Sequence, residues 1–547
     1  MLTAIVLCPL IAALLLCTVP RSFVVVVRVV AMVATFASMI LAIIVFWRYD
    51  SVQPDAASGF RFDQHVEWVH SLGISYHVGV DGLNVPLILM GAVVAFAAAC
   101  CGWEIRERDN ERQKEFCILL LLMTGGILGA FASLDLFFFY FAHELALIPT
   151  FIMIGVWGRG PDKNYATFQI TLYLSVGAFI SLIGLIALYL QSGANTFDIP
   201  ALISYVRQHP IPLRDQNFIF PLLLFGFGIL ISLWPFHTWA PLGYGSAPAP
   251  TAMLHAGVLK KFGLYGLIRI ALPLLPQAAQ HWTHVIAWLC LGNIFYCGLV
   301  AMRQKNLNWL IGYSSVAHMG FVFLGIASLN LIGVTGAVLV MVAHGFLAAL
   351  TFGLSGYLYQ TTGTLEMDQM GGLLRKLPFL GTALIMAMFA GCGMPGFANF
   401  AGEITVFFGA WKQLSLVTGI AVWAALVIGA VYMTRAIRAM LHGPVPDELA
   451  GVAESTWPLR KLPYLILLVS LLVFGFFPRL LADKIRPSAE KILSMATISP
   501  AGRIVHSVKP YSGVASTSGS VVLRSSVLRV TDPRSVAAED GPLSRAP

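Results

Sequence analysis

The chain has 547 residues, of which 58% are hydrophobic and only 11% charged, with a formal net charge of +8. Its mean hydropathy of +0.80 lies far outside the range of water-soluble domains and excludes a soluble enzyme or binding module. The positive excess is concentrated in loops between apolar segments, so it gives no ground for a nucleic-acid partner.

A bilayer crossing takes ~20 apolar residues, and about fourteen segments qualify. Their limits are 2–19, 23–46, 83–103, 117–133, 134–156, 165–190, 218–239, 250–272, 283–302, 307–327, 331–358, 379–410, 413–441 and 462–482. This spacing predicts an all-α polytopic membrane protein in the lipid bilayer. The first segment lacks a basic stretch before it and reads as a retained helix rather than a cleaved signal. Loops after segments 1, 3, 5, 9, 11 and 13 hold Arg21, Arg106, Arg108, Arg112, Lys114, Arg159, Lys163, Arg303, Lys305, Arg375, Lys376, Arg460 and Lys461. Those loops should be cytoplasmic. The opposite loops hold chiefly Arg48, Arg61, Arg207 and Arg214, and both termini then lie outside.

Two polar stretches stand apart. Residues 47–86, with RFDQHVEWVHSLGISYHVGVDGL, are amphipathic and aromatic and are expected on the outer surface. The tail after about residue 499, with SGVASTSGSVVLRSS, has no helical periodicity. It reads as disordered, with a strand paired to a neighbour as the alternative.

Cys8, Cys17, Cys100, Cys101, Cys117, Cys290, Cys297 and Cys392 sit in or beside apolar segments and form no CxxC pair. Cys290 and Cys297 share a helix face, but two thiols are too few for an iron–sulfur cluster. Small apolar fillers is the reading. A GxxxxGK[ST] loop is missing, so nothing suggests ATP-driven transport. A GxGxxG turn after a strand is missing too.

Five apolar segments carry an ionisable residue near their middle: Glu144, Lys261, His318, His344 and Glu403. A charge at bilayer depth costs ~2.5–3.5 kcal/mol on insertion scales, and such groups mark ion or proton paths. Glu144, in FFFYFAHELALIPT, precedes Pro149 by about one turn, where a freed carbonyl loosens the helix and admits water. A neutral carboxyl bonded to a neighbouring helix is its plainer reading. Lys261 follows Lys260 in HAGVLKKFGLYGLIRI. Lys260 is expected to snorkel to the interface, as is Arg269 at the opposite end. With the turn between their helices near Leu331, His318 and His344 each lie about 20 Å from the same membrane face at ~1.5 Å rise per residue. Two imidazoles at matched depth suit proton exchange. Two segments look interrupted: ISLWPFHTWAP at 231–241 and GCGMPGFANFAGE at 391–403. Paired broken helices point to inverted repeats with ion sites at mid-membrane; simple proline kinks are the alternative.

At these residues the chain resembles the antiporter-like subunits of respiratory complex I. QKNLNWLIGYSSVAHMGFVFLGI, MVAHGFLAALTFGLSGYLYQTTGTLEMDQMGGL and GMPGFANFAGEITVFFGAW carry the likeness, with SLGISYHVGVDGLN and LKKFGLYGLIRIALPLLP. It runs from about residue 65 to 445 and beyond. The resemblance implies fourteen helices with two inverted five-helix repeats and broken helices 7 and 12. The corresponding divisions are 1–116 (helices 1–3 with the outer loop), 117–272 and 283–441 (the two halves), 442–498 (a loop and helix 14) and the tail 499–547. It also implies a proton relay of Glu144, Lys261, His318, His344 and Glu403, coupled to quinone reduction performed by partner subunits. NADH, FMN, iron–sulfur clusters and quinone would belong to those partners, with no cofactor on this chain, and antiporter-like neighbours would flank it on both sides in a bacterial inner membrane. An acidic group at Glu403 is expected of one branch; sister subunits place a lysine there.

The departures are specific. The family places a lysine in its seventh helix five residues before the Pro of this chain's WPFHTW; here Leu230 stands there, and the segment has no lysine. The usual Pro-Asp-Ala-His is replaced by APLGYGSAP, and the charged run entering the tenth helix reads QKNLNW. Glu144 therefore lacks its expected cation, for which Lys260, His237 or His143 are the possible substitutes. Three functions stay open: a proton-translocating membrane-arm subunit, a subunit of a multisubunit cation/proton antiporter or membrane hydrogenase, and a non-pumping structural paralogue.

Overall fold

The computed structural model describes residues 1–103 and 112–496. The expected segments are mostly helix, with breaks inside 218–239 and 379–410, and with 462–482 running past the end of one helix into the next. Among the described residues, eleven helices are long and apolar enough to cross a membrane, and Leu2–Thr18 and Pro378–Gly391 are shorter apolar helices. The tail after residue 499, and Arg106 and Arg108 of the third loop, lie outside the described residues.

The centre is the Leu331–Thr362 helix, whose apolar stretch is wholly buried within the protein. It packs on Leu307–Ala327 and Ala398–Trp411. Small residues set that approach: a Cβ added at Gly409 would come within 2.3 Å of the Gly333 backbone nitrogen. Close backbone contact of this kind replaces the hydrophobic drive that lipid does not supply. At the periphery, the Lys163–Ser192 helix turns Phe168, Phe179 and Leu190 outward, as a lipid-facing surface requires.

Both interrupted segments are true breaks rather than kinks. The Leu213–Ile231 helix stops at Ser232, whose φ is +67°, the Trp234–Pro235 bond is cis, and helix resumes over Trp239–Ser246. Pro378–Gly391 is separated from Ala398–Trp411 by a turn in which Gly393 and Gly396 have φ of +67° and +99°, values that favour glycine. A third irregularity was not expected. Lys261 lies in a short helix, Lys261–Gly266, between π-turns at His255–Leu259 and Leu267–Ala271. Such wide turns occur often at functional sites.

The outer stretch corrects the purely helical expectation. Arg61–Val69 and Ile74–Val80 form an antiparallel hairpin closed at Gly73, with His65 opposite His77. Alternation over ISYHVGV is the period of a strand, not a helix. The last apolar helix, Pro458–Phe476, is followed by a separate amphipathic helix, Arg479–Ala496. Its Ser488 hydroxyl accepts from the Gly82 N–H at 2.9 Å and Lys484 pairs with Asp50, fastening it beside the hairpin.

Two snorkelling expectations fail. Lys260 and Arg269 are 1% and 3% exposed. The Arg269 guanidinium donates to Asp81 at 2.5 Å and to the Tyr265 hydroxyl at 3.1 Å. A partner was within reach on the hairpin's exit loop, so the charge is neutralised inside the protein rather than at the lipid surface.

Candidate functional site

Four of the five expected mid-membrane groups form one line. The π-turn before Lys261 lets its Nζ donate to the Ala256 carbonyl at 2.6 Å while lying 2.9 Å from Nδ1 of His344. The His344 and His318 ring centroids are 5.4 Å apart, as their matched depths on neighbouring helices require. Nδ1 of His318 donates to the Ser314 carbonyl at 2.7 Å. That bond leaves Nε2 facing Glu403, whose Oε1 is 3.7 Å away. All four side chains are buried.

The last gap is too long for a direct hydrogen bond. A cavity of about 20 Å³ lies there, lined by His318, Glu403, Cys392 and Tyr432, which is room for about one water. Glu403 Oε1 has no hydrogen-bond partner among the described residues, so a water there would satisfy it. The glycine turn shapes this pocket: a Cβ on Gly393 would lie 2.6 Å from Glu403 Oε2.

Glu144 stands apart. Its side chain is 27% exposed on the flank of the Leu136–Trp157 helix, and its Oε1 is 3.3 Å from Nδ1 of His143. His143 is buried and stacks on Phe262 at 3.9 Å between centroids. Among the described residues no hydrogen bond joins Glu144 or His143 to either lysine. Among the described residues Lys260 Nζ has no hydrogen-bond partner; it lies 5.6 Å from the Tyr244 ring centre, with His255 5.4 Å from the same ring. His237, in the first break, contacts Tyr296 and Tyr313. Of the substitutes considered for the missing cation, only His143 touches Glu144.

Sequence reasoning missed the polar groups that hold the breaks open. Asn293, in the π-turn Gly292–Tyr296, accepts from the Trp234 N–H at 2.7 Å and donates to the Ser232 and Val316 carbonyls at 2.9 and 3.1 Å. Tyr432 donates to the Ser314 hydroxyl at 3.1 Å, behind His318. An asparagine inside an apolar run was the available signal for the first.

A polytopic bundle with two broken helices and a buried lysine–histidine–histidine–glutamate line defines an antiporter-like membrane protein. The comparisons agree. Residues 133–429 match the family described as NADH:quinone oxidoreductase/Mrp antiporter, TM, and the chain belongs to that family. It is 34% identical over 489 residues to NAD(P)H-quinone oxidoreductase chain 4 1 of Synechococcus elongatus, covering 88% of this chain and 89% of that one. It is 32% identical over 471 residues to NADH-quinone oxidoreductase subunit M of Rickettsia felis, covering 86% and 92%. Among solved structures, a chain of respiratory complex I from Thermus thermophilus superposes with a TM-score of 0.81 at 26% identity, covering 91% of this chain and all of that one. A chain of the Mrp complex from Dietzia shares the fold at a TM-score of 0.77 and 17% identity, covering 90% and 97%.

Proposed function

We propose that this chain is the subunit M-type, proton-translocating member of the membrane arm of a complex I-type NADH–quinone oxidoreductase in a bacterial inner membrane. Both termini face the outer side in this reading, and residues 117–272 and 283–441 are its two inverted halves. The enzyme's electron transfer, with NADH, FMN, iron–sulfur clusters and quinone, belongs to partner subunits. This chain moves protons along Lys261, His344, His318 and Glu403. The observation that carries the reading is the 2.9 Å contact between Lys261 and His344 inside a buried, otherwise apolar core. Four ionisable groups in a row at that depth are costly to keep, and a proton path gives them a use. Glu144 with His143 is then the entry toward a neighbouring subunit.

The test is proton uptake into inverted vesicles holding the assembled complex, with Lys261→Ala beside the unmodified protein and quinone reduction followed in the same sample. Pumping and coupled turnover should fall together. Unchanged assembly with both rates intact would refute the relay. It would favour the second reading, a structural spacer, for which Leu230 in place of a lysine is the supporting observation.

A further inference from the structure

At the hairpin, away from the relay, His65, His77 and Asp63 meet Asp198. His65 and His77 are cross-strand partners, their rings stacked with centroids 4.6 Å apart and planes at 21°. One nitrogen of each ring and a carboxylate oxygen of Asp198 lie within 4.8 Å of one another. Asp198 arrives from far along the chain as the cap of the Ile199–Gln208 helix. Its Oδ1 accepts from the Ala201 N–H at 2.8 Å, which leaves Oδ2 to meet Nδ1 of His77. The other nitrogen of His77, Nε2, is 2.9 Å from Asp63 Oδ2. His77 and Asp198 are buried, and His65 covers them from the solvent side.

Two imidazoles and one carboxylate are a donor set that Zn²⁺ takes while leaving a fourth position to water. Mg²⁺ and Ca²⁺ prefer oxygen-only shells. Tetrahedral bonds of ~2.0–2.2 Å place donors about 3.4 Å apart, so binding needs the exposed His65 ring to move in by roughly an ångström and the His77 Nδ1–Asp198 Oδ2 contact to open, the ion taking the place of the Nδ1 proton between them. Asp63 occupies the place of the carboxylate that fixes a ligating histidine through its second nitrogen. We propose that His65, His77 and Asp198 form a binding site for a divalent transition ion of the Zn²⁺ class, with Asp63 orienting His77. The site ties the hairpin to the membrane domain. Asp198 is bridged through its backbone to Asp135, and Asp135 caps the helix that carries Glu144, accepting from the Phe137 and Phe138 N–H groups.

The full chain, purified in detergent and stripped of metal, would be titrated with Co²⁺, whose visible absorption reports tetrahedral nitrogen and oxygen ligation, and then with competing Zn²⁺. One saturable equivalent is expected, displaced by Zn²⁺ and not by millimolar Mg²⁺. His65→Ala, which removes no hydrogen bond among the described residues, should abolish it; His65→Gln serves if the alanine variant unfolds. Asp63→Asn should keep the spectrum and weaken binding about 10–100-fold. Overturning results are no saturable equivalent, displacement by Mg²⁺, or unchanged Co²⁺ affinity in the His65 variants; the cluster is then an ion-pair network only.

Discussion

Asn293 is a single side chain on which a broken helix depends. It is fully buried and holds both sides of the Ser232–Trp234 gap, with a third bond to the neighbouring Leu307–Ala327 helix. Val316 has its own helical partner, so removing Asn293 orphans two backbone groups, the Trp234 N–H and the Ser232 carbonyl. Hydrogen bonds within membrane proteins average ~0.6 kcal/mol and reach ~1.7, whereas a buried orphan costs ~1–3 kcal/mol. Asn293→Leu, which leaves no room for a replacing water, is therefore expected to destabilise the fold by about 2–6 kcal/mol, from ~1–3 for each of the two orphaned groups. The assay is equilibrium unfolding of the purified chain in mixed detergent micelles, read by near-ultraviolet circular dichroism. A loss below about 1 kcal/mol with an intact spectrum would mean that packing, not Asn293, holds the break.

Further outcomes follow from other contacts. His344→Leu should leave assembly intact while reducing pumping in inverted vesicles at least tenfold, because Lys261 loses its 2.9 Å link to His318's side of the line; unimpaired pumping would remove His344 from the path. Gly409→Ala should cost about 1–3 kcal/mol by overpacking, since its Cβ would strike the Gly333 backbone; a neutral melting curve would show that the two helices can part. Asp81→Asn should lower stability by about 3–5 kcal/mol, as removal of one partner strands a buried charge. Burial works against the Asp81 carboxylate, but the Arg269 charge and hydrogen bond outweigh it and hold its pKa below the ordinary range. The stabilisation is thus present above the unfolded value of about 3.9 and lost as pH falls through the lower folded one. The gap between wild type and Asp81→Asn should therefore persist at pH 5 and close only in stronger acid; a gap that closes between pH 5 and 7 would contradict the pairing.

Much of this was legible in the chain, for identifiable reasons. Helices were readable because lipid demands long apolar runs, and the His318–His344 meeting followed from counting residues to a shared turn. Glu403 and Lys261 were visible as costs in an apolar background. The hairpin was obscured because RFDQHVEWV is polar and largely exposed, and the strand beside it is held through Ser75 and His77 to Asp135 and Asp198, residues distant in sequence. Lys260 and Arg269 were misread because snorkelling is the cheaper course for a lone cation, and neither Asp81 nor the Tyr244 pocket can be located before the fold is known. Asn293 escaped because its three bonds reach across two other segments.

The junction between His318 and Glu403 carries a consequence for kinetics. Lys261 and His344 are in direct contact, whereas the junction spans 3.7 Å beside a cavity of about 20 Å³, so a proton crossing it in the proposed line would need a water there. A tyrosine turning by an ångström, or a methyl group added to the lining, would close the passage with every titratable residue still in place. In the proposed relay this step would depend on hydration rather than on charge, and osmotic stress is expected to slow pumping before any change of pH does.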